Sequence, residues 1–145
     1  MPSHQHADFN PLLDSLIRFA KECLAKRGAF LPFAAEMSAE GAISHVAGYT
    51  GEERPGAPKV LEFLEGALRT QAKEGGIRAA GIAVDIRFAA NPNEPKTDAI
   101  QVFLEHREGN VVNVLLPYWK MGPGNVRYGQ LMAVRGEQKI FNPLQ

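Results

Sequence analysis

The sequence predicts an α+β domain in which two helices pack on a mainly antiparallel sheet of five to six strands, in the order α-β-β-α-β-β-β-β. Three observations predict it. Apolar residues recur at helical spacing in two segments, residues 12–24 and 60–71. From Ile77 onward the pattern changes to alternation, with Ile82, Val84, Ile86 and Phe88 set against Ala79, Gly81, Ala83 and Asp85. Helical and strand segments do not simply alternate, because a run of strands follows the second helix, and that order favours α+β over α/β.

Residues 1–8 read as a polar tail and residues 9–145 as one domain. Asn10-Pro11 offers an N-cap followed by proline at the first helical position, where a missing N–H costs nothing. Leu12, Leu13, Leu16, Ile17, Phe19, Ala20, Cys23 and Leu24 form the apolar side of this helix, and Gly28 is its expected stop. Two short apolar runs, FLPFAAEM and AISHVAGY, flank a connection containing Gly41 and predict a β-hairpin. Pro32 cannot donate to a ladder, so the first of these strands should begin after it or lie at an edge. After the loop of residues 51–58, Pro58 opens a second helix with Val60, Leu61, Phe63, Leu64, Ala67, Leu68 and Gln71 on one stripe. Gly75-Gly76 ends it. Strands follow at 77–88, 98–107, 111–119 and 126–135, separated by Pro- and Gly-bearing loops.

The bulk numbers fit one ordinary globular domain. A chain of 145 residues buries roughly 68–70% of its unfolded surface, enough for a core without staples. With 16 basic and 16 acidic residues the net charge is +0, and Lys and Arg are scattered. Phosphate neutralisation dominates nucleic-acid affinity, so no nucleic-acid partner is expected, and no anionic membrane surface either. No apolar run approaches a membrane span, and the first ten residues lack the apolar segment of a signal peptide. A cytoplasmic location follows as the expectation. Cys23 is the single cysteine, which excludes an intrachain disulfide and any multi-cysteine zinc site. Its position on the apolar side of a helix predicts a small buried hydrophobe.

The most informative stretch is KTDAIQVFLEHREGNVVNVLLPYW, residues 96–119. Alternation places Asp98, Ile100, Val102, Leu104 and His106 on one face and Gln101, Phe103, Glu105 and Arg107 on the other. A two-residue turn at Gly109-Asn110 continues the first face with Val111, Asn113, Leu115 and Trp119, and a three-residue loop swaps the partnership. Under either register both faces carry large apolar side chains, each worth about 1.5–3 kcal/mol when buried. Each face therefore needs a cover: one helix per face, a second copy of the chain, or a ligand. The small-residue strip Ala79, Gly81, Ala83 suits close approach by a helix or a second chain.

Several residues invite a chemical reading. Asp98 and His106 share a face but lie eight residues apart, roughly 26 Å at strand rise, too far for a dyad. Glu105, His106, Arg107 and Glu108 cluster beside a turn, where charges normally stand in water. His45, with Glu36 or Asp85 as conceivable partners, reads first as a hydrogen-bonded structural histidine. His4 and His6 form an H-x-H that can chelate a metal, but a tail supplies no third fixed ligand, so neither metal nor cofactor is expected. The Gly-rich MGPGN of residues 121–125 lacks the Lys-Ser/Thr of a phosphate loop. The strongest binding candidate is the segment carrying Tyr118, Trp119, Lys120, Met121, Arg127 and Tyr128, residue types enriched at protein interfaces.

The motifs G-x-F-x-P-F at Gly28–Phe33, T-D-A-I at Thr97–Ile100, L-E-H-R at Leu104–Arg107 and L-P-Y at Leu116–Tyr118 resemble a family of small bacterial α+β proteins with no assigned activity. The resemblance implies a self-contained bacterial domain and no mechanism. The element order is also similar to the profilin-like arrangement of roadblock-type domains, which implies a dimeric interaction module. The expected function is thus non-enzymatic: a protein-interaction or regulatory domain acting as a homodimer or with another protein. The alternative is a small enzyme or ligand-binding domain using His45 or His106 with a nearby carboxylate such as Asp98 or Glu105.

Overall fold

A computed structural model describes residues 5–47, 56–89 and 91–141. Helix α1 spans Phe9–Arg27 and is followed by strands β1 (Phe33–Ser38) and β2 (Ile43–Ala47). Helix α2 (Ala57–Lys73) precedes β3 (Ile77–Phe88), β4 (Thr97–His106), β5 (Val111–Gly122), β6 (Asn125–Tyr128) and β7 (Met132–Val134). All pairings are antiparallel, in the order β2-β1-β3-β4-β5-β6, with β7 pairing with β5. The α+β architecture is the one the sequence predicts, with seven strands rather than five or six.

Three local expectations are corrected. Residues 126–135 do not form one strand. β6 pairs with the C-terminal part of β5 and β7 with Asn113–Leu115, one after the other along the side of β5 that β4 leaves open. The β4–β5 turn holds three residues rather than two, since His106 N–H donates to the Asn110 carbonyl at 2.8 Å and Gly109 takes φ +98°. That loop pairs Leu104 with Val112, so Val112, Val114, Leu116 and Tyr118 share the face of Ile100, Val102 and Leu104. Helix α1 starts two residues earlier than Asn10-Pro11 implies. Asp8 takes the N-cap position without a side-chain capping bond, because its carboxylate is engaged elsewhere. Its C-terminus is as expected: Gly28, at φ +77°, donates its N–H to the Leu24 carbonyl.

Each face of the sheet has its own helix. On one face Leu12, Leu16, Ala20 and Leu24 of α1 pack against Ala35, Ala79, Ala83, Val102 and Leu104. On the other, Val60, Leu64 and Leu68 of α2 cover Ala34, Ala80, Ile82 and Phe103, joined by Ile140 from the C-terminal segment. Cys23 is half-buried and Phe19 exposed, so the real α1 stripe is narrower than the apolar pattern.

The small strip on β3 is what lets α1 approach. A Cβ at Gly81 would lie 2.6 Å from Leu16 Cδ1 and 2.9 Å from Leu104 Cδ2. We expect Gly81→Ala to destabilise the fold by about 1–3 kcal/mol through overpacking. Gly66→Ala, in the interior of α2 with nothing within 4 Å of the new methyl, should instead stabilise it by about 0.5–1 kcal/mol. Urea denaturation of both variants checks the pair.

Candidate functional site

The last two residues of β4 point to opposite faces, as strand geometry requires. Their surroundings differ from the expectation of solvated charge. Glu105 is 0% exposed and His106 1%, while only Arg107 and Glu108 of the cluster are exposed. Residues 6–8 and 139–141 fold back over this strand end and remove it from water.

On the α1 face, His106 holds the N-terminal segment. Its Nε2 lies 2.8 Å from Asp8 Oδ2, and its Nδ1 accepts the Glu108 amide at 3.2 Å. An Nδ1 that accepts leaves the proton on Nε2, which donates to the carboxylate. Arg78 completes the clamp, with Nη2 3.1 Å from Asp8 Oδ1 and Nε 3.1 Å from Oδ2. The β1–β3 register slips at Met37/Ser38, leaving Arg78 unpaired with β1. Such a bulge re-aims a side chain, and here it brings Arg78 to Asp8. Burial alone would raise the Asp8 carboxyl. The hydrogen bonds from His106 and Arg78, with the Arg78 charge, outweigh it and hold the group below its ordinary value.

His6 stacks on His106 with ring centroids 3.6 Å apart and planes 16° from parallel. Its Nδ1 accepts the Asp8 amide at 3.0 Å, and its Nε2 lies 3.5 Å from Glu108 Oε2. His6 also lines an open groove of about 680 Å³ between the start of α1 and the sheet, with Phe9, Leu13, Leu104, Val112 and Val114 among its walls. His4, the other half of the H-x-H, lies outside the described residues.

On the α2 face, Glu105 holds the C-terminal segment. Oε1 accepts the backbone N–H groups of Lys139 and Ile140 at 2.7 and 2.9 Å, and Oε2 accepts that of Phe141 at 2.9 Å. Arg69 of α2 donates to the Lys139 carbonyl at 2.8 Å, so helix and segment are joined.

The remaining candidates separate. His45 is exposed, donating or accepting with Ser15 Oγ at 2.6 Å, and its ring lies beside Phe19 and Phe33. It pairs with Ala35 on the α1 side, whereas Glu36 points to the other face, so that partnership does not form. Asp98 sits at the opposite end of β4 from His106 and faces Arg87 at 3.6 Å. Tyr118 is buried and donates to Asp85 Oδ1 at 2.6 Å, and Tyr128 packs beside it under Lys21. Burial raises both Tyr118 and Asp85. The Asp85 carboxylate raises Tyr118 further, and the like charge of Asp98 adds to the Asp85 shift. Trp119 pairs with Arg127 on the α2 face, both exposed, and its ring lies over Gly129. Lys120 and Met121 are exposed at the end of β5. The segment 118–128 is therefore two surfaces, a tyrosine pair closing the α1 core and a Trp-Arg pair facing away from it.

Sequence reasoning missed Asp8 and Arg78, and took His6 only as half of the H-x-H. Nothing in the local pattern signals that the three meet, because their meeting depends on a bulge and on the path of the N-terminal segment.

No family model matches this chain, and neither does any curated protein or solved structure. Among the described residues no helix is long and apolar enough to cross a membrane.

Two outcomes are expected. Glu105→Gln replaces a carboxylate under three amide donors with a group that can accept on one atom only. It should cost roughly 1.5–3 kcal/mol and accelerate hydrogen exchange of the Lys139, Ile140 and Phe141 amides. Asp85, raised in the folded state, contributes stability that is present below its unfolded pKa and lost as pH rises through the folded one. Asp85→Asn removes that loss, so its stability relative to the parent should improve from acid to neutral pH, as denaturation at several pH values would show.

Proposed function

We propose that the protein is a non-enzymatic interaction domain that works as a homodimer, joined through the α2-side surface of β5 and β7. One observation carries the reading: Trp119 is 45% exposed, Met121 and Leu131 each 54% and Val134 41%, all within β5, β7 and the connection before β7. Trp119, Leu115, Met132 and Val134 share one face by their strand pairing. Large apolar side chains grouped in this way are costly in water and mark association surfaces. Arg127 beside Trp119 supplies the Trp-Arg combination enriched among interface anchors.

The alternative, a small ligand-binding or catalytic domain, draws support from the groove beside His6. His106 turns its Nε2 to Asp8, and neither it nor His45 lines that groove. A screen of small apolar acids and amines by ligand-observed NMR tests it, and saturable binding that shifts Phe9 and Leu13 would favour it over the dimer.

Sedimentation velocity across a concentration series tests the leading reading. The parent chain should sediment as a dimer. Trp119→Ala should weaken the dimer about 30-fold or more, the loss typical of an anchor worth 2 kcal/mol, with an unchanged circular dichroism spectrum. A parent chain that stays strictly monomeric at high concentration would sink the proposal.

A further inference from the structure

We propose that His6, His106 and Glu108 form a site for one divalent first-row transition ion, with zinc as the reference ion. Their candidate ligand atoms lie within 4.8 Å of one another. Glu108 Oε2 stands 3.5 Å from His6 Nε2 and 3.8 Å from His106 Nδ1. Ligand atoms around a tetrahedral zinc are separated by roughly 3.3–3.5 Å, so the set is close to closing on an ion.

The orientation of His106 is the stronger argument. A metal-bound histidine usually donates its other ring N–H to a carboxylate, which fixes the tautomer and raises ligand basicity. His106 already has this arrangement: Nε2–H donates to Asp8, Asp8 is held by Arg78, and the Nδ1 lone pair faces the Glu108 side. That lone pair meets only the Glu108 amide, at 3.2 Å, a bond the ion would replace. Asp8 lies between the Arg78 guanidinium and the imidazoles, so the cation does not confront an uncompensated positive charge.

His6 has to adjust. Parallel stacked rings carry side-by-side lone pairs, and convergence on one ion requires the His6 ring to tilt away from the stack. Ligation through Nε2 also moves the His6 ring proton to Nδ1, giving up the Asp8 amide bond. Asp8 Oδ2, 3.7 Å from that Nδ1, then accepts the proton as a hydrogen bond. No net proton is gained or lost on the protein. Imidazole and carboxylate ligands without sulfur suit zinc and its neighbours more than copper(I) or calcium. The Glu108 side chain is 63% exposed, so an ion has access to the site from that side.

Such an ion would tie the N-terminal segment to the β4–β5 turn on the α1 side of the sheet. The proposed dimer surface lies on the α2 side, so the two readings stand independently.

The test is calorimetric titration of the full chain with zinc chloride, alongside thermal unfolding. One equivalent should bind and raise the melting temperature. His6→Gln and Glu108→Gln should each lower the affinity at least about tenfold, while the ring 15N signal of His106 Nδ1 shifts on binding in the parent. His106→Ala risks the fold, so the exposed Glu108 and the partly exposed His6 carry the test. The assignment is overturned if a folded parent binds no zinc. It is equally overturned if Glu108→Gln binds as tightly as the parent while His4→Ala does not, which would assign the metal to the H-x-H alone.

Discussion

Strand β4 buries apolar side chains on both of its faces, and a strand with that pattern is stable only with a layer on each side. Ile100, Val102 and Leu104 point to α1, and Phe103 points to α2 and Ile140. At about 1.5–3 kcal/mol for each large side chain removed from water, losing either layer would consume most of a typical domain's net stability. The chain meets the requirement by placing α1 before the β1–β2 hairpin and α2 after it. The hairpin occupies one edge of the sheet, and α2 lies on the face opposite α1.

The same alternation explains the two buried polar residues at the end of β4. Consecutive residues must diverge, so Glu105 and His106 meet opposite layers even though they are adjacent in the chain. Each captures a terminal segment: His106 through the Asp8 carboxylate, Glu105 through three backbone amides. The chemistry is matched to what arrives. A carboxylate suits a segment that presents N–H groups, and an imidazole N–H suits a segment that presents an acid.

Much of this architecture was legible in the sequence because period and turn chemistry are local. The α1 stop at Gly28, the start of β1 after Pro32, the helix opened by Pro58 and the two-faced character of β4 all rest on patterns a few residues long. The need for close approach at Ala79-Gly81-Ala83 was also readable, since only small residues leave that room. The polar anchors were not legible. A charged run beside a turn is solvated unless something lies over it, and what lies over Glu105 and His106 comes from positions 139–141 and 6–8, a full chain length apart. The turn length fell between two registers that the apolar pattern satisfies equally well, because both faces are greasy. The hydrogen bond from His106 N–H to the Asn110 carbonyl, with the pairing of Leu104 and Val112, distinguishes them.

Coverage of the sheet is necessarily incomplete, and this is where the candidate surfaces arise. A helix with its side chains is about 10–12 Å across, and strands are spaced about 4.8 Å apart, so one helix shields two or three strands. α2 lies on β1 and β3, and the C-terminal segment adds cover at the end of β4. Neither reaches Trp119 or Val134 on the same face of β5 and β7. On the opposite face α1 lies on β1, β3 and β4, and its margin toward β5 opens into the groove between Leu13 and Val114. The exposed apolar strip and the groove are thus one geometric shortfall, a six-strand path under single helices, appearing on two faces. On the strip, large apolar side chains project into solvent, the condition that favours association with a flat partner. The groove is concave and half-polar at its His6 end, the condition that favours a small ligand.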